Sequence, residues 1–294
     1  MTIDTIKAEI RRIEEAKAFA REVFPNTVFP NVVKQPVWFG RKTVKQAEGR
    51  VALVDTNSDT LFAIASERYN LILHEEIVQQ VVQATKKLPE YGEPKFHISL
   101  PYDGAKMILR VNFPMKKEEV KVGDEVISEI NFRSSYDLQW KLRSDAGLRR
   151  LICSNGASIP VRGKQFGYVN RHISTLNLET AIKTMEEGLI AYSERTGLWK
   201  QWAEKQIEEQ GYNEIWEALP FSEAERNKME ELPETGSQIL LPVALASHSL
   251  TLWDMHSVVT QFVTHNIESE ARKADLEPEV GRVFDRAFEG RLRN

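Results

Sequence analysis

The pattern of apolar residues changes near residue 175, and this change limits the folds open to a chain of 294 residues. Before that point, apolar and polar residues alternate in short runs. In the segment PKFHISLPYDGAKMILRVNFP at 94–114, the pair Asp103 and Gly104 predicts a tight turn between two strands. After that point, apolar residues recur every three or four positions, which predicts helices. Because strands and helices do not alternate, we expect an α+β fold, with an antiparallel β-rich N-terminal half packed against a helical C-terminal half.

The first helix carries an apolar stripe that includes Ile3, Ile6 and Ile10. This stripe needs a partner, either the body of the protein or another copy of the chain. Trp199 and Trp202 share one helical face, which is a candidate for an intersubunit or an interdomain contact. From these two surfaces we expect a homo-oligomer. The chain divides into an N-terminal helix and proline-rich connector over 1–36, a β-rich core over 37–175, a helical region over 176–277, and a tail over 278–294 that we expect to fray.

The composition is that of a folded globular protein, with 41% hydrophobic and 28% charged residues and a formal charge of −4. A single cysteine cannot form an intramolecular disulfide, which fits a reducing compartment. No run of about 18 apolar residues is present, so we expect no membrane span. These features predict a cytoplasmic protein without a membrane partner.

A catalytic thiol is one interpretation of the region around the only cysteine. Cys153 and His172 could act as nucleophile and base, with Asn155 or Asn170 orienting the histidine. However, Cys153 lies in a strand-like apolar run, and free cysteines are commonly buried. We therefore interpret Cys153 as a packing residue.

Metal and cofactor motifs are missing from the sequence. None of the six histidines forms a close pair with a carboxylate at ligand spacing, and His256 and His265 are nine residues apart. The sequence also lacks the glycine-rich phosphate and dinucleotide motifs and the Gly-x-Ser-x-Gly motif. We expect no metal and no cofactor, and a non-enzymatic role is favoured over an enzymatic one.

Basic residues are concentrated just before residue 175, where the pattern of apolar residues changes. The segment 139–172 has seven Lys or Arg and one acid, whereas 177–234 has fourteen acids and six Lys or Arg. The basic segment could bind nucleic acid or could pair with the acidic helices of its own chain. In the first interpretation, cations neutralise phosphates, two aromatic rings stack on unpaired bases, and an Asn-Gly turn presents the backbone. The residues are Lys141, Arg143, Arg149, Arg150, Arg162, Lys164 and Arg171 for phosphates, Phe166 and Tyr168 for bases, and Asn155 and Gly156 for the turn.

Five short motifs are spread along the chain: LFAIASERYNLI at 61–72, VGDEV at 122–126, RLICSNG at 150–156, RH at 171–172 and HSVVTQFVTH at 256–265. Together they resemble a phage- and plasmid-associated family known as domain of unknown function 932. The order and spacing of the motifs agree over roughly residues 40–270. One segment departs from the family pattern: FRSSYDLQ at 132–139 stands where the family usually carries an Asn-Ser-His-Asp-Gly-Ser-like segment.

The resemblance implies a gene of a phage, plasmid or prophage. Together with the basic stretch, it leads us to expect a nucleic-acid-binding protein that binds or anneals single-stranded DNA in replication or recombination. A sheet backed by helices is also similar in outline to single-strand annealing proteins. Two alternatives stay open at this point: a protein-interaction or anti-defence factor of a mobile element, and an uncharacterised hydrolase or nuclease.

Overall fold

The computed structural model describes residues 3–150, 156–157, 178–230 and 250–292. The helices are α1 (Ile3–Val23), α2 (His74–Thr85), α3 (Leu178–Glu204), α4 (Glu209–Ala218), α5 (Glu223–Glu230), α6 (Leu252–Asn266) and α7 (Glu270–Phe288), with a 3-10 turn at Pro89–Tyr91. The strands are β1 (Val32–Phe39), β2 (Lys45–Asp55), β3 (Thr60–Ser66), β4 (Lys95–Ser99), β5 (Lys106–Lys121), β6 (Asp124–Ser135), β7 (Arg143–Arg150) and β8 (Gly156–Ala157).

The expected α+β class is confirmed, with antiparallel sheets in the N-terminal half and helices in the C-terminal half. One sheet has the order β1-β2-β3 and the other β4-β5-β6-β7-β8, and every pairing is antiparallel. The predicted turn joins β4 to β5. Gly104 has φ of +82°, and a Cβ there would lie 2.8 Å from the ring of Pro30, so glycine suits this position.

The five-stranded sheet has one apolar face, which α2 and α3 cover. Its centre consists of Met107, Leu109 and Val111 on β5, and these side chains are fully buried. Alternation along β5 places its intervening residues on the opposite face. That second face is charged, as described below.

The tryptophan face of α3 lies inside the helical half. Trp199 and Trp202 are at most 1% exposed, and their rings lie 6.0 Å from Trp253 and 6.1 Å from Phe284. These partners belong to α6 and α7 of the same chain. The expectation that this face forms an intersubunit contact is therefore wrong, because the chain's own helices bury it.

The region expected to fray from Pro278 is largely helical. Helix α7 continues through Pro278 to Phe288, and Val283 and Phe284 are buried in the core. A proline lacks the N–H that would bond to the carbonyl four residues earlier, here that of Ala274. The guanidinium of Arg133 on β6 donates to this carbonyl instead. This replacement explains how the helix tolerates a proline in its interior.

The N-terminal region also differs from the expectation. Strand β1 begins at Val32, inside the segment interpreted as a connector, and includes Pro36. A proline is tolerated there because β1 is an edge strand of its sheet. On α1, Ala16 and Ala20 are buried, whereas the first part of the apolar stripe is exposed. Over the described ranges, no helix is both long and apolar enough to cross a membrane.

Candidate functional site

Strand β7 holds the part of the predicted basic stretch that the structure describes. Lys141 is exposed just before β7, while Arg143 and Arg149 are half-buried on it. The backbones of Arg149 and Gly156 are paired between β7 and β8, and Arg150 ends β7. The side chain of Arg150 lies outside the described part, as do Asn155, Arg162, Lys164, Phe166, Tyr168 and Arg171, together with Cys153, Asn170 and His172.

Arg143 makes its described contacts within the sheet. Its Nε donates to Oδ1 of Asp145 at 2.6 Å, and Oδ2 of Asp145 accepts from Arg133 at 2.5 Å. Asp145 and Arg133 are both buried. One carboxylate thus compensates two guanidinium groups, and it belongs to β7 and not to the acidic helices at 177–234.

The strand register brings charged and polar side chains onto one face of the five-stranded sheet, which we call the charged face. Residues opposite each other on antiparallel strands project to the same side. One row across the sheet contains His97, Arg110, Asn131 and Asp145, and the next contains Lys95, Asn112, Glu129 and Gly147. Most of these side chains are buried, although a buried face of this size is ordinarily apolar.

Helix α7 covers part of the charged face and supplies compensating charges. Nη1 of Arg110 lies 3.2 Å from Oε2 of Glu270, and its Nη2 lies 4.0 Å from Oε1 of Glu277. Lys273 donates to Oε1 of Glu270 at 2.8 Å. Burial of charge is unfavourable unless the charge is paired, so these contacts are needed for α7 to pack here.

Glu129 lies at the centre of the charged face and is 2% exposed. With the amide of Asn112 oriented to satisfy its hydrogen bonds, its nitrogen donates to Oε2 of Glu129 at 2.8 Å, and its oxygen accepts from Nη1 of Arg149 at 3.3 Å. Burial raises the pKa of Glu129 to about 7, against the opposing effect of Arg110, and nearby Glu277 raises it further. Glu129 therefore exchanges a proton near neutral pH.

A cavity of about 180 Å³ lies between the charged face and helices α6 and α7. Its walls are formed by Arg110, Glu129 and Arg149 from the sheet and by Thr264, Glu270, Lys273 and Glu277 from the helices. His97 also lines it and is exposed. Burial and the nearby cations Arg149, Arg110 and Lys95 lower the pKa of His97, so its imidazole is neutral at pH 7. A proton-exchanging carboxyl and several cations in one cavity suit the binding of a charged ligand.

The sequence analysis missed this cavity. Alternating polar residues on β5 and β6 are typical of a sheet face in water, so nothing local marks them as buried. The local sequence of these strands therefore gave no signal for the cavity. The sequence analysis also divided α7, the helix that covers these residues, at Pro278 into a helical region and a tail.

A second feature is the tip of the hairpin formed by β1 and β2, residues 38–45, which we call the basic hairpin tip. Trp38 and Phe39 are 60% and 58% exposed. Arg41, Lys42 and Lys45 are exposed as well, and no ion pair of these three cations occurs among the described residues. The segment 34–50 has five Lys or Arg and one acid.

Glycine shapes this tip. Gly40 has φ of +117°, and a Cβ there would lie 2.1 Å from the carbonyl oxygen of Thr43, so any other residue would force the loop to move. The sequence analysis missed the tip as well, because it considered only the basic segment 139–172 as a surface for nucleic acid. The combination of Trp-Phe with three nearby cations was the available signal.

The comparisons with known proteins give one result. No curated protein and no solved structure matches the chain. A family model matches residues 62–283, well over half of the chain. The matched range includes every residue that lines the cavity, whereas the basic hairpin tip lies before it. The resemblance found in the sequence is thus confirmed, and the chain belongs to the family described as Domain of unknown function (DUF932).

Proposed function

We propose that this protein binds single-stranded nucleic acid, with the basic hairpin tip as one contact surface. The exposure of Trp38 and Phe39 beside Arg41, Lys42 and Lys45 carries the proposal. Cations attract phosphates, while exposed rings offer faces on which unpaired bases stack. Both elements stand on one hairpin, so a strand could contact them together.

A single strand suits this tip better than a duplex does. In a duplex, the bases stack on each other, and their faces are not available to protein rings. In a single strand, stacking on an aromatic side chain is worth about 1–3 kcal/mol per base and tolerates any base. The tip therefore supports binding that depends little on sequence.

The wider biological role is also part of this proposal. The protein would bind or anneal single-stranded DNA during replication or recombination of a phage or plasmid, in the cytoplasm of the host cell, without covalent chemistry. The basic residues at 141–171 would form a further contact surface. The exposed Ile3, Ile6 and Ile10 on α1 support a homo-oligomer, since a second copy could cover them.

Fluorescence anisotropy with a labelled single-stranded oligonucleotide at several salt concentrations tests the role of the cations. Each phosphate contact on a single strand contributes about −0.7 to the slope of log affinity against log salt. The triple variant Arg41→Gln, Lys42→Gln and Lys45→Gln should weaken binding for every sequence and make the slope shallower by about 2.

A control of equal charge separates a local contact from a general effect of net charge. Lys7, Lys183 and Lys200 are exposed and lie away from the tip in the chain. Changing all three to Gln should leave the slope close to that of the parent. Equal slopes for the parent and the tip variant would remove the tip from the binding surface.

The aromatic side chains give an independent test. Trp38→Leu and Phe39→Leu keep an apolar side chain but remove the ring, so each should weaken binding about 5- to 150-fold with little change in salt slope. Leu61→Ala, which truncates another exposed apolar side chain, serves as the control. Ring variants that bind as well as the parent would argue against stacking.

A protein-interaction role is the second candidate function, and one observation favours it. Leu61 and Ile64 on β3 are 55% and 50% exposed, although both are large and apolar. Exposed apolar side chains that lie close together often mark contacts with another protein. If Leu61→Ala and the ring variants abolish the same protein contact while the oligonucleotide shows no binding to the parent, this role replaces the first.

A further inference from the structure

Some cations that line the cavity pair with carboxylates of the described chain, and one does not. Glu270 is held by Arg110 and Lys273, and Glu277 lies 4.0 Å from the second nitrogen of Arg110. These groups compensate each other. Arg149 differs, because no carboxylate lies within ion-pair distance of its guanidinium among the described residues. Its described hydrogen bond goes to the neutral amide of Asn112.

The carboxyl nearest to this arginine in the sheet does not fully offset its charge. Burial raises the pKa of Glu129 to about 7, so a large fraction of Glu129 is neutral at pH 7. When Glu129 holds its proton, Arg110, Arg149 and Lys273 stand against Glu270 and Glu277 in the cavity lining, which is then net positive. The pKa of His97 is lowered by burial and, in addition, by Arg149 and Arg110, because these cations disfavour a further positive charge nearby.

The size of the cavity limits what it could hold. Its volume of about 180 Å³ is several times the share of about 30 Å³ that one water molecule occupies in the liquid. One tetrahedral oxyanion with five heavy atoms fits such a space. Arginine suits this ligand because its planar group donates two parallel hydrogen bonds to an oxyanion.

We propose that this cavity binds one phosphate-type oxyanion, held by the guanidinium of Arg149 with the imidazole of His97 as a second donor. The ligand could be free phosphate, the phosphate of a nucleotide, or a backbone phosphate of a strand. This site is separate from the basic hairpin tip, and the proposal does not rest on nucleic-acid binding.

Binding should depend on pH through Glu129. The groups that face its carboxyl are Arg110 and Asn112 on β5, Asn131 on its own strand, Arg149 on β7 and Glu277 on α7. Below pH 7 the carboxyl is neutral and the oxyanion meets a net positive wall. Above pH 7 the ionised carboxyl repels it. With a pKa of about 7, the affinity should be about tenfold weaker at pH 8 than at pH 6.

Isothermal titration calorimetry with sulfate tests this proposal, because the charge of sulfate is constant between pH 6 and pH 8. Titrations at matched ionic strength, with chloride as the reference, should show one site and the tenfold change. Arg149→Gln should weaken sulfate binding at least tenfold. Glu129→Gln should bind equally at both pH values. Absence of sulfate binding to the parent at millimolar concentration would overturn the proposal.

Two controls keep this test specific. Glu75 on α2 is also buried with its pKa raised to about 7, but it does not line the cavity, so Glu75→Gln should retain the pH dependence of sulfate binding. Lys117→Gln removes an exposed cation of β5 that pairs with Glu125 and should bind as the parent does. If Arg149→Gln does not fold, the comparison of Glu129→Gln with the parent decides the question.

Further titrations identify the source of the phosphate group. Inorganic phosphate, a mononucleotide and a single-stranded oligonucleotide are compared in the parent. Displacement of sulfate by the oligonucleotide assigns the site to a backbone phosphate. Displacement by phosphate or the mononucleotide alone assigns it to a small ligand. If none of the three displaces sulfate, the site does not recognise phosphate and the proposal fails.

Discussion

The basic hairpin tip and the cavity on the charged face use the same kinds of side chain in opposite environments. At the tip, Arg41, Lys42 and Lys45 are exposed, and the described chain offers them no ion pair. In the cavity, Arg110 and Lys273 are held by carboxylates of α7. An exposed cation attracts a ligand through an electric field that salt screens. A buried cation binds a ligand by direct contact, and its effect depends on whether the neighbouring carboxyl is protonated. The first region should respond to salt and the second to pH.

The two regions should also differ in their effect on stability. Exposed charges contribute little to folding, typically about 0–1 kcal/mol even when paired. A buried pair is different, because removal of one partner leaves the other charge in an environment that cannot solvate it. Substitutions that break a buried ion pair of the charged face should therefore destabilise the protein strongly, and substitutions at the tip should not.

The largest expected effect is on the buried pair of Arg133 and Asp145. Asp145→Asn should lower the free energy of unfolding by about 3–5 kcal/mol, because Arg133 and Arg143 lose their common carboxylate. Urea denaturation measures this. The triple Gln variant of the tip should change the same quantity by no more than about 0.5 kcal/mol. Equal effects of the two variants would erase the distinction between the regions.

Part of this fold is visible in the sequence. The alternation of residues 94–114 and the Asp103-Gly104 turn predict β4 and β5, and the spacing in 74–88 predicts α2, because each depends on local periodicity. The sequence does not predict where the helical half ends. Pro278 ordinarily ends a helix, and it is tolerated here through Arg133, which lies 145 positions earlier in the chain. A contact between such distant residues leaves no local pattern.

Contacts between distant residues also explain why the sequence does not reveal the candidate site. Among the predicted residues, Arg149 lies on the cavity wall, but its neighbours His97, Glu129 and Lys273 come from three other elements. Each has an ordinary local sequence, and only the register of β4 to β7 and the packing of α7 bring them together. The basic character of Arg149 was thus visible in the sequence, whereas its half-buried position beside the cavity was not.

The second expected effect concerns the pH dependence of stability. Glu129 and Glu75 are both buried, and each has its pKa raised to about 7 in the folded protein, against about 4.3 in an unfolded chain. A raised pKa means that the folded state holds protons more tightly. The resulting stabilisation is fully present below pH 4.3 and is lost as the pH rises through 7. For each carboxyl the loss is about 4 kcal/mol.

Gln variants test this prediction. Glu129→Gln and Glu75→Gln should each remove part of the fall in stability between pH 5 and pH 8, measured by urea denaturation at each pH. The tip variants should leave this pH profile of stability unchanged, because they remove no buried carboxyl. A parent protein whose stability is constant over this range would contradict the raised pKa of both glutamates.

The smallest expected effect tests whether Arg133 replaces the missing hydrogen-bond donor of Pro278. In the parent, the carbonyl of Ala274 accepts from Arg133, so it is satisfied without a backbone donor. In an Arg133→Met background, that buried oxygen would have no donor, and Pro278→Ala would restore one from the helix. Pro278→Ala should therefore stabilise the Arg133→Met protein more than it stabilises the parent, by about 1 kcal/mol, the net worth of one hydrogen bond. Urea denaturation of the parent, both single variants and the double variant measures this coupling. Combining Pro278→Ala with Lys117→Gln, an exposed change on β5, should give additive effects. Additivity in the Arg133 cycle as well would mean that the helix tolerates its proline for another reason, and that a cation of the charged face does not hold α7 in place through this carbonyl.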